Sequence, residues 1–122
     1  MKKLAIFCLL GLVMLAMPRP TRSVTMSIVT VTAYSYSGGR SPHGITASGR
    51  KVREGMVAVS RDLERNLRLV FGDRVLLHGL GVFEVQDRMA SGQRKKVDLF
   101  MQSDAKARRF GVKRYIVLVK LA

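Results

Sequence analysis

Cysteine is almost absent from this chain. Cys8 is the single one in 122 residues, and it lies inside an apolar run, too early to be the lipid-acceptor cysteine at the end of an export signal. There it counts as a small hydrophobe. A chain trimmed of that run would hold no thiol, which excludes a disulfide framework and a cysteine nucleophile. Histidine is equally sparse. His43 and His78 each stand without a second His or Cys at ligand spacing, so neither a metal site nor a cofactor is expected. No glycine-rich phosphate loop follows a strand, no Ser-His-Asp order emerges, and there is no internal repeat or low-complexity segment. Acidic residues are few, 8 Asp+Glu against 22 Lys+Arg.

That imbalance gives a sequence pI near 11.2. In the cytosol such a balance argues for nucleic acid, but the N-terminus argues against the cytosol. Met1-Lys2-Lys3 is a short basic region, and Leu4 to Met17 is an uncharged apolar run too short to span a bilayer comfortably. Residues 1–23 therefore read as a secretory signal or an N-terminal membrane anchor with a linker. Cleavage near Ala16 or between Pro18 and Ser23 and retention as an anchor both stay open, since no Ala-x-Ala site is clean. The expected location is extracytoplasmic, in the periplasm or cell envelope, with no nucleic-acid partner. The polyanions met there are teichoic acids, lipopolysaccharide phosphates, membrane surfaces and peptidoglycan carboxylates. The charge is scattered over Arg50, Lys51 and Arg53, then Arg94 to Lys96, then Lys106 to Arg114, and reads as a solvated surface or a specific patch.

Residues 24–122 suffice for one domain with one core. Ser27 to Ser35 alternates β-branched residues and ends in Ala33-Tyr34, a first strand. A Gly- and Pro-rich loop through Gly38 and His43 follows, then Ile45-Thr46-Ala47-Ser48-Gly49. Met56 to Val59 is a short strand. Ser60 to Phe71 reads as a helix, with Val59, Leu63, Leu67 and Val70 on one stripe, Ser60 at the N-cap and Gly72 at the C-cap. A strand through Val75 and a turn at Gly79 to Gly81 lead to two apolar runs, Val82 to Val85 and Val97 to Met101. With Gly92 in the loop between them, these spell a central hairpin. Ser103-Asp104 caps a helix to Phe110, and Tyr115 to Leu121 is a closing strand, nearly continuous in apolar residues as a buried barrel strand would be.

One aspartate goes with each run of the central pair. Asp87 comes as the chain leaves the first, and Asp98 sits inside the second, before Leu99, Phe100 and Met101. Asp is disfavoured in strands because it is costly to desolvate and competes for backbone hydrogen bonds. One explanation is a strand showing a polar face to water. The other is a carboxyl held in a partly apolar cleft, where desolvation favours its protonated form and makes it a general acid.

The pattern resembles the three-aspartate (3D) domain, a double-psi β-barrel also found as the catalytic barrel of membrane-bound lytic transglycosylase A. That family places an aspartate at a strand end, another eleven positions on in an Asp-(Ile/Leu)-aromatic strand, then an Ala-rich helix and Phe-Gly. Here stand Asp87, Asp98-Leu99-Phe100, Ala105, Ala107 and Phe110-Gly111. Thr46-Ala47-Ser48-Gly49 is close to the family's Thr-Ala-(Ser/Tyr)-Gly. The chain departs where Ala58-Val59-Ser60 replaces Ala-Val-Asp, leaving Asp62 or nothing in the third aspartate's place. It departs again in the loop from Arg88 to Lys96, where Arg88 stands next to Asp87.

The resemblance implies a mainly β fold, a small six-stranded double-psi barrel with two short helices. It implies a peptidoglycan glycan-strand partner and cleavage between N-acetylmuramic acid and N-acetylglucosamine to a 1,6-anhydro product, with Asp98 as acid and base. Asp87, taken as its neighbour across the hairpin, would tune it. Thr46, Tyr34 and Asp62 would contact substrate. The alternative carried with it is a non-catalytic, expansin-like polysaccharide-binding barrel. An aspartic-protease half-site fits poorly, because Asp87-Arg88-Met89 lacks the Asp-(Thr/Ser)-Gly loop.

Overall fold

The computed structural model describes residues 25–36 and 44–121. The expected signal or anchor, and His43 with most of its loop, lie outside them. Strands β1 (Met26–Tyr34), β2 (Met56–Val59), β3 (Arg74–Leu77), β4 (Gly81–Arg88), β5 (Lys96–Phe100) and β6 (Lys113–Lys120) close into a barrel in the order β1-β5-β2-β4-β3-β6. Two helices, α1 (Arg61–Asn66) and α2 (Asp104–Phe110), complete the described elements. The pairs β1/β5 and β2/β4 are parallel and the other four are antiparallel. This is the six-stranded double-psi architecture with two short helices.

Alternation explains the core. Val29 and Val31 on β1, Val57 and Val59 on β2, Val75 and Leu77 on β3, Val97 and Leu99 on β5 and Leu118 on β6 all point inward and are buried. Residues two apart share a face of the pleat, so the intervening positions stand on the outer wall.

Three expectations need correction. The runs around Val82 and Val97 do not form a hairpin: β2 lies between β4 and β5 and pairs with both. The polar loop is therefore a crossover, and a pattern of apolar runs and turns does not distinguish the two. The helix expected over Ser60 to Phe71 ends at Asn66. Leu67 has left helical geometry, Arg68 is left-handed at φ 50, and Leu69 N–H donates to Glu64 C=O at 2.9 Å. The Lys120 ammonium takes the freed carbonyls of Leu67 and Arg68 at 3.4 and 3.0 Å. Leu69 is then buried in place of Val70, which is 64 % exposed. Finally, β6 is not buried throughout: among its apolar residues only Leu118 is fully enclosed.

Ser60 does not cap α1 with its side chain. Its hydroxyl accepts from Lys96 N–H at 3.1 Å and bonds the Asp62 carboxylate, tying the helix start to the start of β5. Ser103 caps α2 as expected, accepting from Lys106 N–H at 3.1 Å.

Candidate functional site

Ala58 is the register partner of Asp98 on β5 and of Asp87 on β4. On the far side of β5, Thr32 of β1 pairs with Asp98. Paired residues project to one face, so Thr32, Asp98, Ala58 and Asp87 form a lateral row across four strands on the outer wall. The small Ala58 side chain leaves a gap between the two carboxylates. Their Cα atoms are separated by two strand spacings, about 10 Å.

A β-bulge aims Asp87 into this row. The β2/β4 register passes from Val57↔Val85 to Ala58↔Asp87, so Gln86 is the extra residue. Without it Gln86 would stand opposite Ala58 and Asp87 would turn to the other face.

The two carboxylates sit in different surroundings. Asp98 is half-buried and accepts from the Thr32 hydroxyl at 2.9 Å. Burial pushes its carboxyl above the usual carboxylate range. The Thr32 bond opposes the rise, the charge of Asp87 adds to it, and Lys96 opposes it. Asp87 is met by three donors: Ala47 N–H and Arg88 N–H on Oδ1, each at 2.9 Å, and the Tyr34 hydroxyl on Oδ2 at 3.2 Å. The Tyr34 phenol is driven upward by burial first and the Asp87 charge second, so it remains a donor at any ordinary pH. Tyr36 is raised by burial, Asp87 and Asp98 in that order.

Around the row lies an open cleft of about 350 Å³, with Met89, Ala90, Gln93 and Lys96 along one wall and Tyr34 and Tyr36 on the other. Tyr34 meets Tyr36 and Phe100 edge to face, at centroid distances of 5.7 and 5.6 Å. A second cavity of about 320 Å³, beside α2, is lined mainly by Leu80, Phe83, Leu99, Met101 and Phe110. It contains neither Asp87 nor Asp98, and its charged lining residues are Glu54 and Lys106. Among the described residues no three His, Cys, Asp or Glu side chains come together to hold a metal.

Of the residues singled out from sequence, the structure brings Asp87, Asp98 and Tyr34 to this cleft. Thr46 is elsewhere. It is buried, and its hydroxyl bonds Ser48 Oγ at 2.8 Å, Arg50 C=O at 3.1 Å and Arg50 N–H at 3.3 Å, all within its own loop. Its expected place on the cleft wall is thereby corrected: Thr46 shapes the turn whose Ala47 N–H reaches Asp87.

Asp62 also stands apart. Its carboxylate accepts Lys95 N–H at 2.9 and 3.2 Å and so anchors the crossover where it returns to β5. Burial alone would raise its carboxyl, but the Ser60 and Lys95 bonds outweigh it and the net shift is downward. Asp62 thus braces the crossover against the start of α1. Arg88 reaches Asp87 through its backbone N–H, while its side chain turns to α1. Its guanidinium bonds both Glu64 oxygens, at 2.6 and 2.5 Å, and lies 5.2 Å over the Phe71 ring.

Thr32, Ala58, Tyr36 and Lys96 were missed. Lys96 shares the face of Asp98 by simple alternation along β5, and Thr32 shares that of Tyr34 along β1, so a period-two count from the predicted residues reaches two cleft neighbours. Ala58 has no such marker, because its importance lies in what it pairs with.

No family model matches the sequence, and no curated protein matches it. Solved structures do. The Streptomyces papain inhibitor aligns at 21% identity and TM-score 0.55, covering 80% of this chain and 94% of its own. A mutant expansin of Clavibacter michiganensis, in complex with cellohexaose, aligns at 20% identity and TM-score 0.51 over 80% of this chain and 50% of the other, so this chain spans half of that protein. At these identities the likeness is one of fold.

Proposed function

We propose that this chain is a cell-wall polysaccharide-binding barrel and that the Asp87/Asp98 cleft receives a glycan strand. The observation that carries this reading is the pairing of chemistries in one open groove. Sugar rings present hydroxyl edges and apolar C–H faces. The carboxylates of Asp87 and Asp98, Lys96 and Gln93 can bond the first, and the rings of Tyr34 and Tyr36 can cover the second. The expansin to which this chain is similar over half of its length, solved in complex with cellohexaose, supports a polysaccharide ligand. The resemblance of Asp87 and Asp98-Leu99-Phe100 to the three-aspartate family, together with the apolar N-terminal run, supports peptidoglycan in the bacterial envelope as the glycan, reached after export.

One observation favours a second, catalytic reading. Asp98 is a half-buried carboxyl with raised proton affinity, as a general acid requires. It would protonate the glycosidic oxygen as the C1–O4 bond breaks. As carboxylate it would then take the proton of the C6 hydroxyl, whose oxygen closes onto C1 to give the 1,6-anhydro sugar. The balance needs neither water nor a second carboxylate acting as base.

The test is to incubate the purified chain with peptidoglycan sacculi, sediment them, and analyse the supernatant by mass spectrometry. Co-sedimentation without anhydro-muropeptides establishes the binding reading. Anhydro-muropeptides in the supernatant establish the catalytic one. Neither co-sedimentation nor product overturns both.

A further inference from the structure

The wall of the barrel opposite the cleft is apolar where a solvated wall would be polar. Register partners line Val82 on β4, Leu76 on β3, Val119 on β6 and Met26 on β1 into one outward row. It crosses four strands, about 14 Å at the usual spacing. The adjoining row holds Val117 and Ile28. Val82, Met26 and Ile28 are 51, 56 and 59 % exposed. Apolar surface gathered in this way on one face is a mark of an interaction site. Beyond the rows, Tyr115 is 84 % exposed and left-handed at φ 58, a conformation an aromatic residue adopts only under constraint.

Three observations decide what covers this wall. It is flanked by cations: Arg74, two positions before Leu76 on the same face, and Arg114 near the start of β6, both exposed. A second copy would bring the same cations together on a chain of formal net charge +14, which disfavours self-association. And the wall begins at Met26, nine residues after Met17, where the apolar run ends; nine residues reach at most about 32 Å.

We infer that this outer wall is a membrane-facing surface that takes anionic lipid. Its apolar rows enter the headgroup–acyl boundary, and Arg74 and Arg114 meet the lipid phosphates. The cleft residues occupy the C-terminal halves of β1 and β4, whereas the wall uses Met26, Ile28 and Val82 in their N-terminal halves. The cleft is thereby turned away from the bilayer. This inference does not depend on what the cleft binds.

The experiment uses the full chain with Cys8→Ser and one added cysteine carrying an environment-sensitive fluorophore: Ile28→Cys or Val82→Cys on the wall, Ser91→Cys on the crossover loop as control. Each is mixed with vesicles of phosphatidylcholine containing phosphatidylglycerol and a lipid-borne quencher. Both wall labels should shift to the blue and be quenched about threefold or more beyond the Ser91 label, and high salt should weaken the effect. Two wall positions guard against one variant misfolding. Wall labels that stay in water while the chain is vesicle-bound would overturn the inference, since the N-terminal segment would then hold the protein alone. A blue shift before any lipid is added, rising with protein concentration, would also overturn it, because a second copy would be the occupant.

Discussion

Asp87 and Asp98 face the same cleft without being neighbours: each is paired to Ala58, and the strand that carries Ala58 runs between them. Two carboxylates set apart by one methyl side chain interact through space but do not share a hydrogen bond. Their surroundings therefore differ. Asp87 is enclosed by donors, and Asp98 is desolvated with Thr32 on one oxygen.

Asp98→Asn should separate the two proposed activities. Asn keeps the size and can still accept from Thr32, but it cannot donate and reclaim a proton. Any anhydro-muropeptide release should fall roughly a hundredfold to ten-thousandfold, while co-sedimentation with sacculi survives.

The same variant has a stability signature. Folding raises the proton affinity of Asp98, so the folded state holds the more protons. Its stability is then greatest below the unfolded carboxyl value of about 3.9 and falls as pH rises through the folded value. Asp98→Asn should be more stable than the parent at neutral pH, with the difference closing in acid. Urea midpoints across that range check this; a less stable Asn variant at neutral pH would make Asp98 a structural strand residue.

Tyr34→Phe removes one of the three donors to Asp87 and leaves the ring contacts with Tyr36 and Phe100 in place. The expected cost is about 1–2 kcal/mol of stability, because the acceptor is a carboxylate. Glycan affinity should weaken several-fold, as read from a sacculus-binding isotherm.

Ala58→Val tests the gap itself. Ala58 is only 5 % exposed, so the larger side chain should cost roughly 1–3 kcal/mol of stability, and affinity is read well below the lowered melting temperature. The added methyls would occupy the space between Asp98 and Asp87, and affinity should drop at least about tenfold, or about 1.4 kcal/mol. Unchanged affinity would place the glycan away from the row.

Glu64→Gln should destabilise modestly. The Arg88 bonds, acting against burial, hold the Glu64 carboxyl below its usual range. Its contribution is thus present above the unfolded value of about 4.3 and lost as pH falls through the folded one. The side chains of Arg88 and Glu64 are 34 and 25 % exposed, so the loss at neutral pH should be about 1 kcal/mol and shrink with salt. Thermal melts at neutral and acid pH, with and without salt, would reveal it.

Much of the fold was legible because it rests on local periodicity. The β-branched alternation of β1, the apolar runs of β4 and β5 and the Ser103 cap of α2 are written within a few residues of one another. The length of α1 was not legible: its stripe continues to Val70, but Lys120, more than fifty residues away, takes the carbonyls at its end. Thr46 was misplaced for a similar reason. A hydroxyl in a turn has its own backbone within reach before any cleft forms.

By itself the sequence determined which residues alternate, where the chain turns, and that one aspartate follows an apolar run and another sits within one, since each follows from propensity and desolvation cost over short spans. Only the tertiary structure decided what those carboxylates meet. The insertion of β2 between β4 and β5, the bulge at Gln86 that turns Asp87 outward, and the apolar wall running from Val82 to Met26 are all matters of strand register. Register is set by closure of the whole barrel, where a shift of one residue would exchange every inward and outward side chain.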